Sequence, residues 1–225
     1  MRLDMALKQL GDSLAQVQRS ALMDHKTPLR NGMALSQKLD SLADSDVEHV
    51  VIFGDLNGFK LVNDTHGHAA GDAAIERAGK LLSVMLEPFE AEAFRQSGDE
   101  FVIVCHKEQI ATISTALSGT FSLNVMYHGR SKIEIRMSFG WTTARSDTPQ
   151  HWLSRAEEAC RIAKQHGAGI FLEWQSACSV IPEEIRSRCS CCGASFRLTI
   201  SVKVPVDKGG FWCPQCGQQA NPRGG

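Results

Sequence analysis

The sequence predicts an α/β fold in which a central, mostly antiparallel sheet is flanked by helices, with a small cysteine-rich appendage behind it. Three observations carry this expectation. Short β-branched runs, Val50-Val51-Ile52-Phe53 and Phe101-Val102-Ile103-Val104, alternate with longer stretches of helical period such as 71–86. A Ser97-Gly98 step stands between two apolar runs, and glycine tolerates the positive φ that hairpin turns need. Two C-x-x-C knuckles close the sequence.

Taken in order, Leu3, Leu7, Leu10, Leu14, Val17 and Ala21 follow steps of four and three. Residues 1–23 therefore read as an amphipathic helix, either docked on its own domain or pairing as a short coiled coil. Met33 to Leu42 reads as a helix and 49–55 as a strand. The strongest helix is Gly71 to Leu86, where Ala74, Ile75, Ala78, Leu81, Leu82 and Met85 recur at helical spacing before Pro88. A hairpin is expected over 93–105, a weak helix over 108–117, strands over 121–127 and 132–142, a helix from Pro149 to Gln165 and a last strand from Gly169 to Trp174.

Composition narrows the function classes. The 225 residues suit one medium domain plus a small appendage, and 43% hydrophobic content is enough for a real core. A net charge of −1 argues against a protein that is basic throughout. No apolar stretch reaches the ~18 residues a bilayer span needs, and no signal-peptide core opens the sequence. A cytoplasmic, reducing location with no membrane partner is the expectation, so the eight cysteines are not read as a disulfide framework.

The chemistry is concentrated in two acidic elements. Ser97-Gly98-Asp99-Glu100-Phe101 sets adjacent carboxylates on a turn, and hard oxygens of this kind suit Mg²⁺. About forty residues upstream, the run Val50 to Gly54 ends in Asp55 and leads through a glycine-containing turn to Lys60. Backbone amides of such a turn can cradle phosphates while a lysine neutralises them. Asp55 and Asp99 side by side would form a two-metal cleft.

These residues resemble the GGDEF domain, the diguanylate cyclase family. Its D-x-D-x-F-K-x-x-N-D-x-x-G-H-x-x-G-D run appears from Asp55 to Asp72, and its signature loop as Ser97-Gly98-Asp99-Glu100-Phe101. Asp24 to Asn31 is a loose version of its D-x-L-T-G-L-x-N-R opening, Ser138-Phe139-Gly140 matches its S-I-G strand, and Ala163 to Gly167 matches A-K-x-x-G. The resemblance spans roughly residues 24–175. It implies a nucleotidyl-cyclase-like palm that condenses two GTP molecules into cyclic di-GMP, working as a homodimer. It further implies Mg²⁺ (or Mn²⁺) held by Asp55, Asp99 and the Leu56 carbonyl, with Glu100 beside the attacking 3′-hydroxyl. Asn63 and Asp72 would read guanine, while Lys60, Lys164 and amides up to Phe59 would bind the triphosphate.

Departures from the pattern are also legible. Ser97 replaces the first signature glycine, and Ala168 stands where a phosphate-binding arginine follows A-K-x-x-G. Loss of such a charge-assisted contact costs about 1.5–3 kcal/mol. The family's R-x-x-D feedback site is replaced by Pro88-Phe89-Glu90-Ala91. The alternative reading is thus a catalytically degenerate module that binds GTP or a partner. His66 and His68 match the family's G-H turn and are not read as a metal pair.

Beyond a linker at 176–186, residues 187–225 read as a zinc ribbon. Cys189, Cys192, Cys213 and Cys216 are spaced for a structural tetrahedral Zn²⁺ site, with Cys191 an alternative to Cys189 or Cys192. Phe196 to Val204 alternates apolar and polar residues as a half-buried strand, and Asp207 to Gly210 turns the chain towards Phe211-Trp212. Residues 185–225 carry six Lys/Arg and one acid, which suits contact with nucleic acid or an acidic protein surface as well as plain docking.

Overall fold

The computed structural model describes residues 17, 20–43, 45–122, 124–145, 148–166 and 171–174, together with the backbone of strands at 183–188, 195–200, 211–212 and 219–220. In chain order the elements are β1 (Arg30–Asn31), α1 (Gly32–Leu42), β2 (His49–Leu56), α2 (Phe59–His66) and α3 (His68–Leu86). Then come β3 (Ala91–Ser97), β4 (Glu100–His106), α4 (Ile110–Ser122), β5 (Asn124–His128), β6 (Ser131–Ile135), β7 (Met137–Ala144), α5 (Pro149–His166) and β8 (Phe171–Glu173). The remaining strands are β9 (Glu183–Arg188), β10 (Ser195–Ile200), β11 (Phe211–Trp212) and β12 (Gln219–Ala220).

The main sheet has the order β1-β3-β4-β2-β7-β8-β10-β9. Its centre, β3-β4-β2-β7, is antiparallel, and parallel pairs flank it at β1/β3, β7/β8 and β8/β10. Strand β2 shows why this sheet needs helices on both faces. Val50, Ile52 and Leu56 enter the cluster under α3 and α4, while Val51 and Phe53 enter the one under α1 and α5. Successive side chains of a strand point to opposite faces, so an unbroken apolar run signals a strand buried on both sides. Each such side chain contributes about 1.5–3 kcal/mol when fully buried. Helix α5 approaches β7 so closely that a Cβ at Gly140 would lie 2.1 Å from the Cys160 amide nitrogen.

Several expected boundaries move. Phe121 lies in the last turn of α4 and does not begin a strand: Ile113, Leu117 and Phe121 continue one helical stripe, and Phe121 meets Phe139 edge-on at 5.7 Å. The region 132–142 is two strands, β6 and β7. Residues 59–66, where no regular element is expected from the sequence, form α2, and α3 starts at His68, before Gly71. Glycine 67, at φ 82°, separates the two helices.

In the C-terminal region, the first part of the expected strand, 196–200, lies in β10, but its antiparallel partner is β9, whose residues 183–186 fall in the expected linker. Residues Phe211–Trp212 pair with Gln219–Ala220. Alternation specifies a strand; its partner is a long-range choice. The cysteine knuckles, Cys178, the turn at 207–210, Ala168 and residues 1–16 of the N-terminal stripe lie outside the described residues. Cys105 and Cys160 are buried thiols. Burial pushes both up to about 12, which makes them inert packing groups.

Candidate active site

Strand β2 delivers Asp55 to the end of the central sheet, opposite Glu100 on β4 and Ser138 on β7. The next residue extends the link: the Leu56 N–H donates to the Asp99 carbonyl at 3.3 Å. The turn between β3 and β4 thus docks directly against the end of β2. Gly98 takes φ 42° there, a left-handed conformation that side chains resist. Ser97 belongs to β3, beside a register shift, and its hydroxyl donates to Glu100 Oε2 at 2.5 Å.

Arg95 braces this turn from behind. Its Nε and Nη2 donate to the Gly98 carbonyl at 3.0 and 2.8 Å, and its Nη1 donates to Asp24 Oδ2 at 2.9 Å. Both side chains are only 8% exposed. Burial pushes the Asp24 carboxyl up, but bonds from Thr27 and Lys26 and the Arg95 charge carry it below the ordinary value. Sequence reasoning missed this pair. The available signal was an arginine inside an otherwise apolar strand, Phe94-Arg95, which has to find a buried partner.

Asp55 sits differently. Burial raises its carboxyl to about 6, the neighbouring Asp99 and Glu100 charges push in the same direction, and Lys164 opposes them. Lys164 reaches from α5 to form an ion pair with Asp55 Oδ1. That oxygen is buried against the Lys164 ammonium, and Oδ1 of neighbouring Asn57 is buried without a hydrogen-bond partner. Asn57 is itself held by its N–H to the Arg136 carbonyl at 2.8 Å and by Nδ2 to Ser138 Oγ at 3.0 Å. A crowded, under-solvated oxygen cluster suits a hard divalent cation. Among the described residues no three His, Cys, Asp or Glu side chains converge as a ready-made cage.

A second group of predicted residues lies on the helix pair. Gly58, at φ 71°, turns the chain from β2 into α2, which presents half-buried Phe59 and exposed Lys60 in its first turn. Helix α3 packs so that a Cβ at Gly71 would lie 1.9 Å from Asn63 Oδ1, so glycine is what lets Asn63 sit there. Asp72 follows on the same helix, half exposed, with Lys26 Nζ 2.5 Å from its Oδ1. That hydrogen bond holds Asp72 below the ordinary carboxylate range. The structure thus gathers Asp55, Leu56, Asp99, Glu100 and Lys164 at the strand ends, and Phe59, Asn63 and Asp72 on the helices. His66 and His68 take part in no metal-holding group among the described residues.

The sequence profile described as "Diguanylate cyclase, GGDEF domain" matches residues 21–169. The cyclic di-GMP phosphodiesterase PdeB of Shewanella oneidensis is 31% identical over 157 residues, covering 68% of this chain and 18% of that protein. The probable diguanylate cyclase DgcE of Escherichia coli is 31% identical over 166 residues, covering 69% of this chain and 15% of that one. The chain therefore spans only a small part of the length of these curated relatives. Among solved structures, the coiled coil and GGDEF domain of DgcB from Caulobacter crescentus, in complex with c-di-GMP, superposes with a TM-score of 0.67. It is 22% identical, and the match covers 76% of this chain and 94% of that one. At that identity the likeness concerns the fold.

Proposed function

This chain belongs to the diguanylate cyclase GGDEF domain family, and from that premise we propose that it condenses two GTP molecules into cyclic di-GMP as a homodimer. The observation that carries the reading is Asp55: a half-buried carboxylate on the central strand, raised to about 6 and faced by the Asp99–Glu100 turn, with a lysine as its cationic partner. Asp55, Asp99 and the Leu56 carbonyl would hold Mg²⁺ (or Mn²⁺), which when bound withdraws charge from the α-phosphate and the departing pyrophosphate.

The chain's own residues account for the remainder of the chemistry. Amides at the Gly58 turn and the Lys60 and Lys164 ammonium groups meet the triphosphate, so Lys164 exchanges one anionic partner for another. Glu100 lies beside the reacting centre and accepts the proton of the 3′-hydroxyl. The 3′-oxygen–phosphorus bond forms as the bond to pyrophosphate breaks, and two such events close the ring. Asn63 and Asp72 select the base, since guanine offers N1–H and N2–H₂ to a carboxylate and adenine does not. Each domain holds one GTP, so two domains must face each other.

One observation favours the alternative of nucleotide binding without turnover. The Ser97 hydroxyl ties up Glu100 Oε2. The discriminating experiment is GTP turnover by the purified protein with Mg²⁺ and mass identification of products, with an Asp99→Ala, Glu100→Ala double variant alongside. Cyclic di-GMP from the wild type alone supports the cyclase. GTP binding without product, at a concentration that dimerises the chain, supports the binding module. For the C-terminal knuckles, Cys189, Cys192, Cys213 and Cys216 would hold one structural zinc, checked by metal content per chain; the ribbon would then serve as a protein or nucleic-acid contact.

A further inference from the structure

Lys26 is joined to Asp72 across 46 residues of sequence, with Nζ 2.5 Å from Oδ1. It stands where the family pattern of the Asp24–Asn31 segment has leucine. Its backbone is fixed: the Lys26 N–H donates to Asp24 Oδ1 at 3.1 Å, and the Thr27 N–H and hydroxyl reach the same oxygen at 2.8 Å each. Thr27 is also pressed against α3, where a Cβ at Gly79 would lie 2.6 Å from the Thr27 Cβ. The loop is thereby seated on the helix that carries Asp72 and, through Asp24 and Arg95, tied to the signature turn.

We propose that Lys26 is a base-selecting residue, forming with Asp72 a donor–acceptor–acceptor row that matches the edge of guanine. The inference rests on the GTP reading of the site. Because the ammonium lies against Oδ1, the order along the pair is ammonium, Oδ1, Oδ2. Guanine offers an acceptor at O6, then donors at N1–H and N2–H₂, in the same order. Adenine turns its N6 amino group towards the ammonium and the N1 lone pair towards the carboxylate, so both positions clash. The ion pair does not block the base, since a carboxylate oxygen has two lone pairs and can accept from lysine and from N1–H together. An exposed pair of this kind is also weak enough to readjust on binding.

The test is titration of the full chain with a 3′-O-blocked fluorescent GTP, followed by its displacement with GTP or 6-thio-GTP. The thio analogue keeps N1–H and the 2-amino group but is a poor acceptor at position 6. Lys26→Met should weaken GTP by roughly tenfold, the lower end for a charge-assisted hydrogen bond at a half-exposed site. It should weaken 6-thio-GTP far less, and Lys26→Arg should keep most of the preference. Tighter GTP binding by Lys26→Met would mean that the lysine masks Asp72, and overturns the proposal. Equal weakening of both nucleotides would leave only a general charge effect, and overturns it too. A wild type that binds no GTP brings down the nucleotide reading itself, and this inference with it. A wild type that binds GTP, paired with an unchanged ratio in Lys26→Met, brings down Lys26 alone.

Discussion

The two ends of the candidate site hold their carboxylates in opposite ways. At the strand end, Asp55 is half-buried, crowded by Asp99 and Glu100, and raised to about 6. At the helix end, Asp72 is half exposed, already hydrogen-bonded to Lys26, and lowered. Each carboxylate has a lysine partner, Lys164 for Asp55 and Lys26 for Asp72, but at Asp55 burial and two neighbouring carboxylates outweigh it. On the proposed reading, the difference assigns the incoming cation to the strand end. A base-reading carboxylate has to stay ionised and accessible, whereas a metal-holding one gains from poor solvation, because the ion then relieves a penalty that the protein already bears.

The strongest way to break this comparison is Asp55→Ala. Cyclic di-GMP formation should fall by at least about 100-fold, while affinity for the guanine base changes little, as read from product formation beside nucleotide displacement. An equal loss of both would merge the two ends into one functional unit.

Arg95→Ala strikes what joins them. It leaves Asp24 buried without its cation and strips two donors from the Gly98 carbonyl, so stability should drop by about 2–3 kcal/mol. A shift in the urea midpoint with an unchanged slope would report it. No shift would make the Asp24–Arg95 brace incidental.

The pH dependence sharpens the contrast. Asp55 has a folded value raised above its unfolded one, so its contribution to stability is fully present below the unfolded value near 3.8 and is lost as pH rises through about 6. Asp24, lowered in the fold, contributes in the opposite sense, above its unfolded value and less as the solution is acidified through its folded one. In the metal-free chain, Asp55→Asn should therefore raise the thermal midpoint near neutral pH by the equivalent of roughly 1–2 kcal/mol and hardly at all near pH 4. Mg²⁺ should stabilise the wild type above about pH 6 and lose that effect below it. A midpoint insensitive to Mg²⁺ at all pH values would remove the cation from this end.

The smallest effect is expected from Ser97→Gly, within about threefold in turnover, because the left-handed turn is made by Gly98 and a single hydroxyl hydrogen bond is worth only ~1 kcal/mol. A large gain would show that Ser97 restrains Glu100 and would favour the binding-only reading.

Much of this was legible locally. The β-branched run ending in Asp55 and the helical stripe of α3 follow from side-chain period, and Ser97 to Phe101 marked the turn. Asn63 next to Gly71 was legible only as a spacing, since the reason for the glycine is a contact between two helices. Arg95, Asp24 and Lys26 were not legible as site residues. Their partners lie far away in sequence, and no local period encodes a contact between a loop before the first helix and a hairpin after the third.

By itself, the amino-acid sequence determined β2, the β3–β4 hairpin, the helix α3 and the presence of an acid at the end of β2, because these follow from periodicity and turn chemistry. The tertiary structure alone decided that Leu56 bonds to Asp99, that Arg95 links the signature turn to Asp24, and that Lys26 meets Asp72. It also decided that Phe121 stays in a helix and that β10 pairs with β9. These depend on register and close packing across the sheet, and such long-range choices are made by the burial of whole faces, which no short window of sequence contains.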